Sequence, residues 1–310
     1  MPKWNSLPTI LLFIIDNQGL SQIHWVKIRK FALRERAYVN ALKYSGYIFD
    51  LDGTIYLSEK LIPGAQEVIQ KLRVSSKKIV FLSNKPLQTR EDYAAKLSRL
   101  GIPTATDQVI NSSRVMAKWL AQKAPGAVIY VIGEPSLIDE MVHEGFRISE
   151  NAEEIDYVIA SFDRTFDYRK LNIAHQAIKK GAHFVATNPD RACPVEGGEI
   201  PDCAAVIGAV EGSTGKKVEA IVGKPSDIMI QVAVQTMDLS PELCLLVGDR
   251  LETDILMGKK AGMATALVLS GVTKKEALKN SDIQPDYVWE SIAEMLKSSP
   301  QRAKRTRRKR

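Results

Sequence analysis

Two carboxylates, Asp50 and Asp52, stand two residues apart where an apolar run ends and Gly53 and Thr54 follow. The aromatic and β-branched residues at 47–49 predict a buried strand, and an open α/β sheet binds its ligands at the carboxyl ends of its strands. Two acids in one pocket disfavour each other's ionisation unless a cation balances them, so the pair favours a hard divalent ion such as Mg²⁺. With the charge balanced, Asp50 can attack phosphorus as a nucleophile and Asp52 can protonate the leaving oxygen.

The same short stretch permits two other interpretations. An acidic loop after a strand is a common turn, and Asp-x-Asp-Gly also begins many calcium-binding loops. A calcium loop has a glutamate at its twelfth position, but counting from Asp50 brings Leu61 to that position. The spacing therefore disfavours calcium and leaves the acidic turn as the alternative to catalysis.

Polar residues also follow other apolar runs that are predicted to be strands, namely Ser83 with Asn84, Lys224, and Asp249. A reaction at a phosphate ester needs a cation, donors for the non-bridging oxygens, a nucleophile and a proton carrier. Asp249 would be the third carboxylate of the metal site, after the first two acids. Lys224 would place a positive charge on the phosphoryl group. Ser83, Asn84 and Thr54, with the backbone amides before Thr54, would complete the phosphate site.

The elements that position these residues alternate between strands and helices, which predicts an α/β fold with a doubly wound, Rossmann-like parallel sheet. A second series of strands and helices lies between the segments that carry Ser83 and Lys224, and we interpret it as an inserted α/β domain. The predicted organisation is an N-terminal extension at 1–44, a first core segment at 45–124, the inserted domain at 125–217, a second core segment at 218–298, and a tail at 299–310.

The charge of the chain is concentrated at its ends. The 310 residues carry a formal net charge of +7, yet residues 301–310 alone contain seven Lys or Arg and no acid. Residues 46–300 contain 29 basic and 34 acidic residues, so this part of the chain is mildly acidic. Nucleic acid is therefore not an expected partner of the body, and the tail, which lacks apolar periodicity, is predicted to be disordered.

Cysteine usage and hydrophobic patterning point to a cytoplasmic protein. Cys193, Cys203 and Cys244 are odd in number and form no CxxC pair, which indicates a reducing compartment without a disulfide framework or a zinc site. The apolar stretch at 7–15 is far shorter than the ~20 residues that span a bilayer. We therefore expect no membrane association.

Four segments together resemble the motifs of the haloacid dehalogenase (HAD) superfamily. The run Asp50-Leu-Asp-Gly-Thr54 resembles its first motif, Ser83 the second, Lys224 the third, and Asp249 with Asp254 the fourth. The motifs have the order and spacing of the family, and the resemblance covers residue 46 to about residue 297. It implies an aspartyl phosphotransferase. In that setting we expect Asp254 to play an orienting role, bonded to Lys224 or to metal-bound water, rather than to be a metal ligand.

The long insertion and the run Gly223-Lys224-Pro225 resemble the NagD-like, nitrophenyl-phosphatase branch, which has a C2-type cap. The resemblance implies that the cap closes over the site, selects the substrate and can pair in a homodimer. Residues 188–193 match the substrate-specificity loop of the family. The implied cap residues are Phe162, Asp163, Asn188, Asp190, Arg191 and Cys193. Phe162 could equally pack inside the cap, and Cys193 could equally be a buried structural thiol.

One position departs from the family pattern, because Lys85 follows Asn84 where small polar residues are common. Lys85 could contact phosphate or face solvent, and the sequence does not choose between them.

The motifs favour a Mg²⁺-dependent phosphomonoesterase that acts on small phosphorylated metabolites through an aspartyl-phosphate. A phosphomutase on the same fold is an alternative, since it needs the same two acids. A dehalogenase is disfavoured because a carbon–halogen substrate needs neither Mg²⁺ nor Lys224. From another class, a polyanion-binding protein could use the basic ends, but the intact set of acids argues against it.

Overall fold

The structure is a computed structural model that describes residues 41–195 and 197–297. The predicted tail at 299–310 and most of the predicted N-terminal extension lie outside the described residues.

The described residues form strands that alternate with helices along most of the chain. The strands are β1 (Gly46–Asp50), β2 (Tyr56–Leu57), β3 (Lys60–Leu61), β4 (Lys78–Ser83), β5 (Val109–Asn111), β6 (Val128–Ile132), β7 (Arg147–Ile148), β8 (Tyr157–Ala160), β9 (His183–Ala186), β10 (Ala192–Val195), β11 (Gly198–Pro201), β12 (Ala220–Ile221), β13 (Cys244–Gly248), β14 (Ala264–Val268) and β15 (Tyr287–Trp289). The helices are α1 (Ala65–Val74), α2 (Arg90–Arg99), α3 (Ser112–Lys123), α4 (Pro135–His143), α5 (Tyr168–Lys179), α6 (Cys203–Thr214), α7 (Asp227–Met237), α8 (Leu256–Lys260) and α9 (Lys275–Lys279). A π-helical turn at Leu251–Ile255 precedes α8.

The core sheet has six parallel strands in the order β15-β14-β13-β1-β4-β5. Its central strand is β1, where Phe49 lies between Val247 of β13 and Phe81 of β4. These three side chains are buried, as expected for a parallel sheet that is covered on both faces. The order and direction of the strands confirm the predicted doubly wound α/β fold, and they bring the carboxyl ends of β1, β4 and β13 to one edge.

The inserted domain has its own parallel sheet, in the order β12-β9-β8-β6-β7, and an antiparallel hairpin of β10 and β11. The boundary predicted at residue 217 is wrong by a few residues, because β12 pairs with β9 of this second sheet. The apolar pattern of residues 218–222 is compatible with a strand of either sheet. Only the pairing with β9 in the folded protein assigns these residues to the second sheet. We call residues 125–222 the cap.

The predicted extension at 1–44 is also too long. Ala41 and Tyr44 are buried members of the core cluster, and the hydroxyl of Tyr47 donates a hydrogen bond to the carbonyl of Ala41 at 3.0 Å. The hydroxyls of Tyr44 and Tyr287 lie 3.2 Å apart. The folded core therefore includes residues 41–44, and the rest of the predicted extension precedes the described residues.

Helix α3 packs against both domains. Its buried Val115 and Met116 belong to one apolar cluster that contains Ile48 and Val80 of the core sheet and also Leu137 and Met141 of cap helix α4. Such a shared cluster excludes water from the contact between the cap and the core. One side of the cap is therefore fixed to the core by a continuous apolar interface.

Five charged side chains border this interface. Glu140 of α4 accepts from Arg90 at 3.1 Å and from Arg114 at 3.2 Å, and it is nearly inaccessible to solvent. Glu144 accepts from Arg114 at 2.7 Å and from Lys118 at 2.8 Å. The shared Arg114 links the pairs into a network, which fixes orientation better than isolated surface pairs do.

No helix among the described residues is long and apolar enough to cross a membrane.

Replacing Tyr44 by alanine tests whether residues 41–44 belong to the core. Loss of the buried ring should lower the free energy of unfolding by about 3 kcal/mol, because a cavity remains beside Tyr47 and Tyr287. Urea denaturation would measure the change. As a control, Val74→Ala at an exposed helix position should change stability by no more than about 0.5 kcal/mol. Equal stabilities of the two variants would show that Tyr44 is not part of the core.

Candidate active site

Residues predicted to attack phosphorus, to bind phosphate or to bind metal come together in one pocket at the carboxyl edge of the core sheet. Asp50 ends β1, Ser83 ends β4, and Asp249 follows β13 directly. Lys224 lies where the chain returns from the cap to the core. All of them line the same pocket. The sequence prediction that these strand ends converge is therefore met by the geometry.

Three carboxylates form a compact cluster in this pocket. Oxygens of Asp50, Asp249 and Asp254 all lie within 4.8 Å of one another, and no other such group of acids, histidines or cysteines occurs among the described residues. Lys224 donates hydrogen bonds to Asp50 and, at 2.8 Å, to Asp254. When the three acids are ionised, the four groups carry a net charge of −2. The cluster is therefore a candidate site for a divalent metal ion.

The protonation of these groups reflects that excess of negative charge. Burial raises the pKa of Asp50, and the neighbouring carboxylates of Asp254 and Asp249 add to the effect against the opposing pull of Lys224. Burial and Asp254 likewise raise the pKa of Asp249. Burial disfavours the charge of Lys224, but Asp254 and Asp50 outweigh it and raise the pKa of its ammonium group. Lys224 is therefore charged, but its single positive charge does not balance the carboxylates around it.

The carboxylate of Asp249 is held in place by close backbone. The amide of Val272 donates to its Oδ2 at 2.6 Å. Gly53, at φ 85°, and Gly271 pack so closely that a Cβ on either would lie within 2.6 Å of the same oxygen. Only glycine fits at both positions, so two loops from distant parts of the sequence fix one metal-ligand candidate.

Asp52 does not join the cluster, and its predicted role as a metal ligand stays a prediction. Its Oδ2 accepts from Lys85 Nζ at 3.2 Å, and both side chains are partly exposed. The strand ends at Asp50, and Gly53 turns the chain with a positive φ, so the alternation of side chains along β1 stops before Asp52. The fourth-motif acid Asp254, predicted to orient Lys224, makes that contact and is also a member of the cluster.

The predicted phosphate-binding residues divide into two groups. Ser83 and Asn84 line the pocket, whereas Thr54 is fully buried outside the pocket lining. Asn84 connects three segments, because its Oδ1 accepts from the amide of Lys224 at 2.7 Å and its Nδ2 donates to Asp190 of the cap at 3.0 Å. Asn84 therefore fixes the loop that carries Lys224 and links it to the predicted specificity loop.

Only part of the predicted cap set reaches the pocket. Asp190 and Cys193 line it, and Asn188 is buried beside it, donating to the carbonyl of Asn84 at 3.2 Å. Arg191 is exposed and does not line the pocket.

Phe162 and Asp163 are internal to the cap. Phe162 is fully buried outside the pocket lining, and Asp163 is bonded to Lys170 and Thr165. The burial of Phe162 away from the pocket lining favours the interpretation in which it packs inside the cap.

Sequence reasoning missed or left open several pocket residues. Lys85 lines the pocket and pairs with Asp52, so it does not simply face solvent, and its contact with phosphate stays a prediction. Asp202 of the cap was missed because its role looks local: it precedes α6 and its Oδ1 accepts from the amide of Cys203 at 2.6 Å. Arg250 and Thr253 lie between Asp249 and Asp254, inside the fourth motif. This position in the sequence could have identified them as pocket residues.

Comparison with known proteins relates 82% of the chain to one family. Sugar-phosphatase AraL of Bacillus subtilis is 41% identical over 253 residues, which cover 82% of this chain and 92% of that protein. The acid sugar phosphatase of Staphylococcus saprophyticus is 32% identical over 254 residues, covering 82% and 97%. Residues 47–147 match the family model for haloacid dehalogenase-like hydrolases, and residues 221–295 match a model for HAD-hydrolase-like proteins. The chain belongs to the haloacid dehalogenase-like hydrolase family.

Solved structures place this HAD-like hydrolase in the NagD-like branch. The 4-nitrophenylphosphatase of Thermotoga maritima superposes with a TM-score of 0.80 at 33% identity, covering 84% of this chain and 99% of that one. NagD from E. coli gives a TM-score of 0.75 at 32% identity, covering 81% and 98%. The similarity extends over the cap as well as the core. The enzyme is thus a HAD-type phosphatase, as the motifs predicted.

Gly271→Ala tests whether the position of Asp249 is essential. The added Cβ would approach Asp249 Oδ2 to 2.0 Å, so the carboxylate has to move. A displacement of this size should lower the rate of 4-nitrophenyl phosphate hydrolysis by about a hundredfold. The matched control is Gly208→Ala in α6, where a Cβ meets nothing within 4 Å and the rate should not change. Equal rates for both variants would mean that Asp249 tolerates displacement.

Proposed function

We propose that this protein is a Mg²⁺-dependent phosphatase that hydrolyses sugar phosphates through an aspartyl-phosphate on Asp50. The observation that carries the proposal is the contrast between two acids that lie two residues apart. Asp50 lies in the buried cluster and accepts a hydrogen bond from Lys224, whereas Asp52 lies outside the cluster and pairs with Lys85. This contrast supports Asp50, which contacts Lys224, as the nucleophile, and Asp52, which lies outside the cluster, as the group that exchanges protons.

The donor set suits Mg²⁺. This ion prefers hard oxygen ligands and is usually held by one or two carboxylates together with water and substrate phosphate. Asp50 and Asp249 would hold it, while Asp254 also accepts from Lys224. Its two positive charges match the net charge of the cluster. When bound, the ion supplies electrostatic stabilisation to the phosphoryl oxygens.

The reaction divides into two proton-balanced steps. In the first, an oxygen of Asp50 bonds to phosphorus as the bond from phosphorus to the ester oxygen breaks, and Asp52 gives that oxygen a proton. In the second, Asp52 takes a proton from water, whose oxygen bonds to phosphorus as the bond to Asp50 breaks. Inorganic phosphate then leaves, and both carboxyl groups return to their starting states. Lys224 remains charged throughout and stabilises the negative phosphoryl oxygens.

Two observations support sugar phosphates as the substrate class. The relatives AraL and the acid sugar phosphatase carry that activity in their names. The cap contributes Asp190 and Asp202 to the pocket, and carboxylates accept hydrogen bonds from hydroxyl groups. A phosphomutase would use the same two acids but retain the phosphoryl group, so release of inorganic phosphate separates the two activities.

The remaining expectations concern location and partners. The three buried cysteines without a CxxC pair support a cytoplasmic location. The net negative charge of residues 46–300 gives the body no basis for nucleic-acid binding. A homodimer formed through the cap stays a prediction, which light scattering would test.

Asp50→Asn tests the nucleophile. The amide cannot form the aspartyl-phosphate, so release of inorganic phosphate from a sugar phosphate or from 4-nitrophenyl phosphate should fall by at least about 10³-fold. Because burial raises the pKa of the native acid, the neutral amide should preserve or raise the temperature of unfolding without added metal. Activity near that of the unchanged enzyme would remove Asp50 from the role of nucleophile.

Removal of metal tests the cofactor. Treatment with EDTA should abolish hydrolysis and added Mg²⁺ should restore it, whereas a calcium-selective chelator should have no effect. Asp249→Asn should raise the Mg²⁺ concentration that gives half the maximal rate by at least about tenfold, because one anionic ligand is lost. Full activity in EDTA would contradict the metal-dependent mechanism.

A further inference from the structure

Lys85 is fixed at both its backbone and its side chain. Its amide donates to Ser83 Oγ at 3.1 Å, and its carbonyl accepts from the hydroxyl of Tyr93 at 3.3 Å. Its Nζ lies 3.2 Å from Asp52 Oδ2. The loop after β4 is therefore folded so that this ammonium group meets the carboxylate that the proposed mechanism uses for proton transfer.

The pair of Lys85 and Asp52 adds little to the stability of the fold. The two side chains are 33% and 41% exposed, and ion pairs at such positions typically stabilise a protein by no more than about 1 kcal/mol. A role in the reaction explains the pair better than a role in folding.

The direction in which Asp52 is held matters for the chemistry. In phosphoryl transfer the attacking and leaving oxygens lie roughly in line on opposite sides of phosphorus. The attacking group, Asp50, lies in the buried cluster, so the leaving oxygen lies on the far side of the phosphoryl group, toward the cap. Lys85 pairs with Asp52 outside the cluster, and both line the pocket together with Cys193 and Asp202 of the cap. Burial raises the pKa of Cys193 and of Asp202, and the charge of Lys85 opposes both shifts, so Lys85 faces these cap residues.

The cationic group of the cluster itself is already engaged. Lys224 bonds to Asp50 and Asp254 and is buried, whereas Lys85 is the cation that contacts Asp52. We propose that Lys85 is a positioning residue, which holds Asp52 on the leaving-group side of the pocket so that Asp52 can protonate the departing oxygen. The proposal rests on the phosphatase mechanism given above.

A series of substituted phenyl phosphates tests this role, because its members share one shape and differ in how much the departing oxygen needs a proton. The value of kcat/KM reports the steps up to departure of the phenol, so later hydrolysis of the aspartyl-phosphate does not affect the comparison. For Lys85→Gln, kcat/KM for phenyl phosphate should fall at least about tenfold more than that for 4-nitrophenyl phosphate, whose phenolate leaves without help. Lys85→Arg, which keeps a cation beside Asp52, should restore most of the loss.

Lys259→Gln is a closely matched control. Lys259 pairs with Asp286 at 2.7 Å, the two side chains are 37% and 42% exposed, and neither residue lines the pocket. This variant removes the same charge from the same kind of pair and should leave kcat/KM unchanged across the series. In an Asp52→Ala background, Lys85→Gln should produce no further change in leaving-group dependence, since the residue through which it acts is already absent.

The outcomes are distinguishable. A uniform fall across the whole series for Lys85→Gln would overturn the proposal, because it would indicate a contact with phosphate or a loss of fold. So would a further change in leaving-group dependence when Asp52 is already alanine. A wild-type protein that hydrolyses no member of the series would overturn the proposed function and this inference together. A normal wild type with an unchanged Lys85→Gln variant would overturn the inference alone.

Discussion

The site depends on the hydrogen bonds that the ammonium group of Lys224 donates to both Asp50 and Asp254. Removing one ammonium and two carboxylates from water is unfavourable, and their mutual attraction compensates only when the geometry is good. Asp249 adds a third negative charge that Lys224 does not contact, so the attraction inside the protein is incomplete. The fold therefore concentrates negative charge in the pocket. This charge favours the binding of a cation or of a positively polarised group there.

The fold supplies this geometry through the central position of β1. Its neighbours β13 and β4 bring Asp249 and Ser83 to the same edge, although about 200 and 30 residues of sequence separate them from Asp50. The cap adds Asp190 and Asp202 to the lining of the same pocket. In the proposed mechanism, the sheet fixes the groups that act on phosphorus, and the cap supplies groups for the rest of the substrate.

The parts that sequence could predict are those set by local periodicity. Buried strands ending in polar residues identified Asp50, Ser83 and Asp249, because parallel strands bring their carboxyl ends to one edge. The position of Asp52 could not be deduced in this way, since the direction of its side chain depends on how the chain turns after β1 and on Lys85 in the loop after β4. The position of Asp202 in the pocket was equally hard to predict, because capping of the helix already explains an acid directly before it.

The position of α3 limits how the cap can move. Because the helix belongs to one apolar cluster with both the core sheet and cap helix α4, a displacement that separates cap from core on this side exposes apolar surface and breaks the contacts of Glu140 and Glu144. The cap is thus held to the core at two places, namely the apolar interface of α3 and the hydrogen bonds that join Asn84 to Asp190 and Asn188.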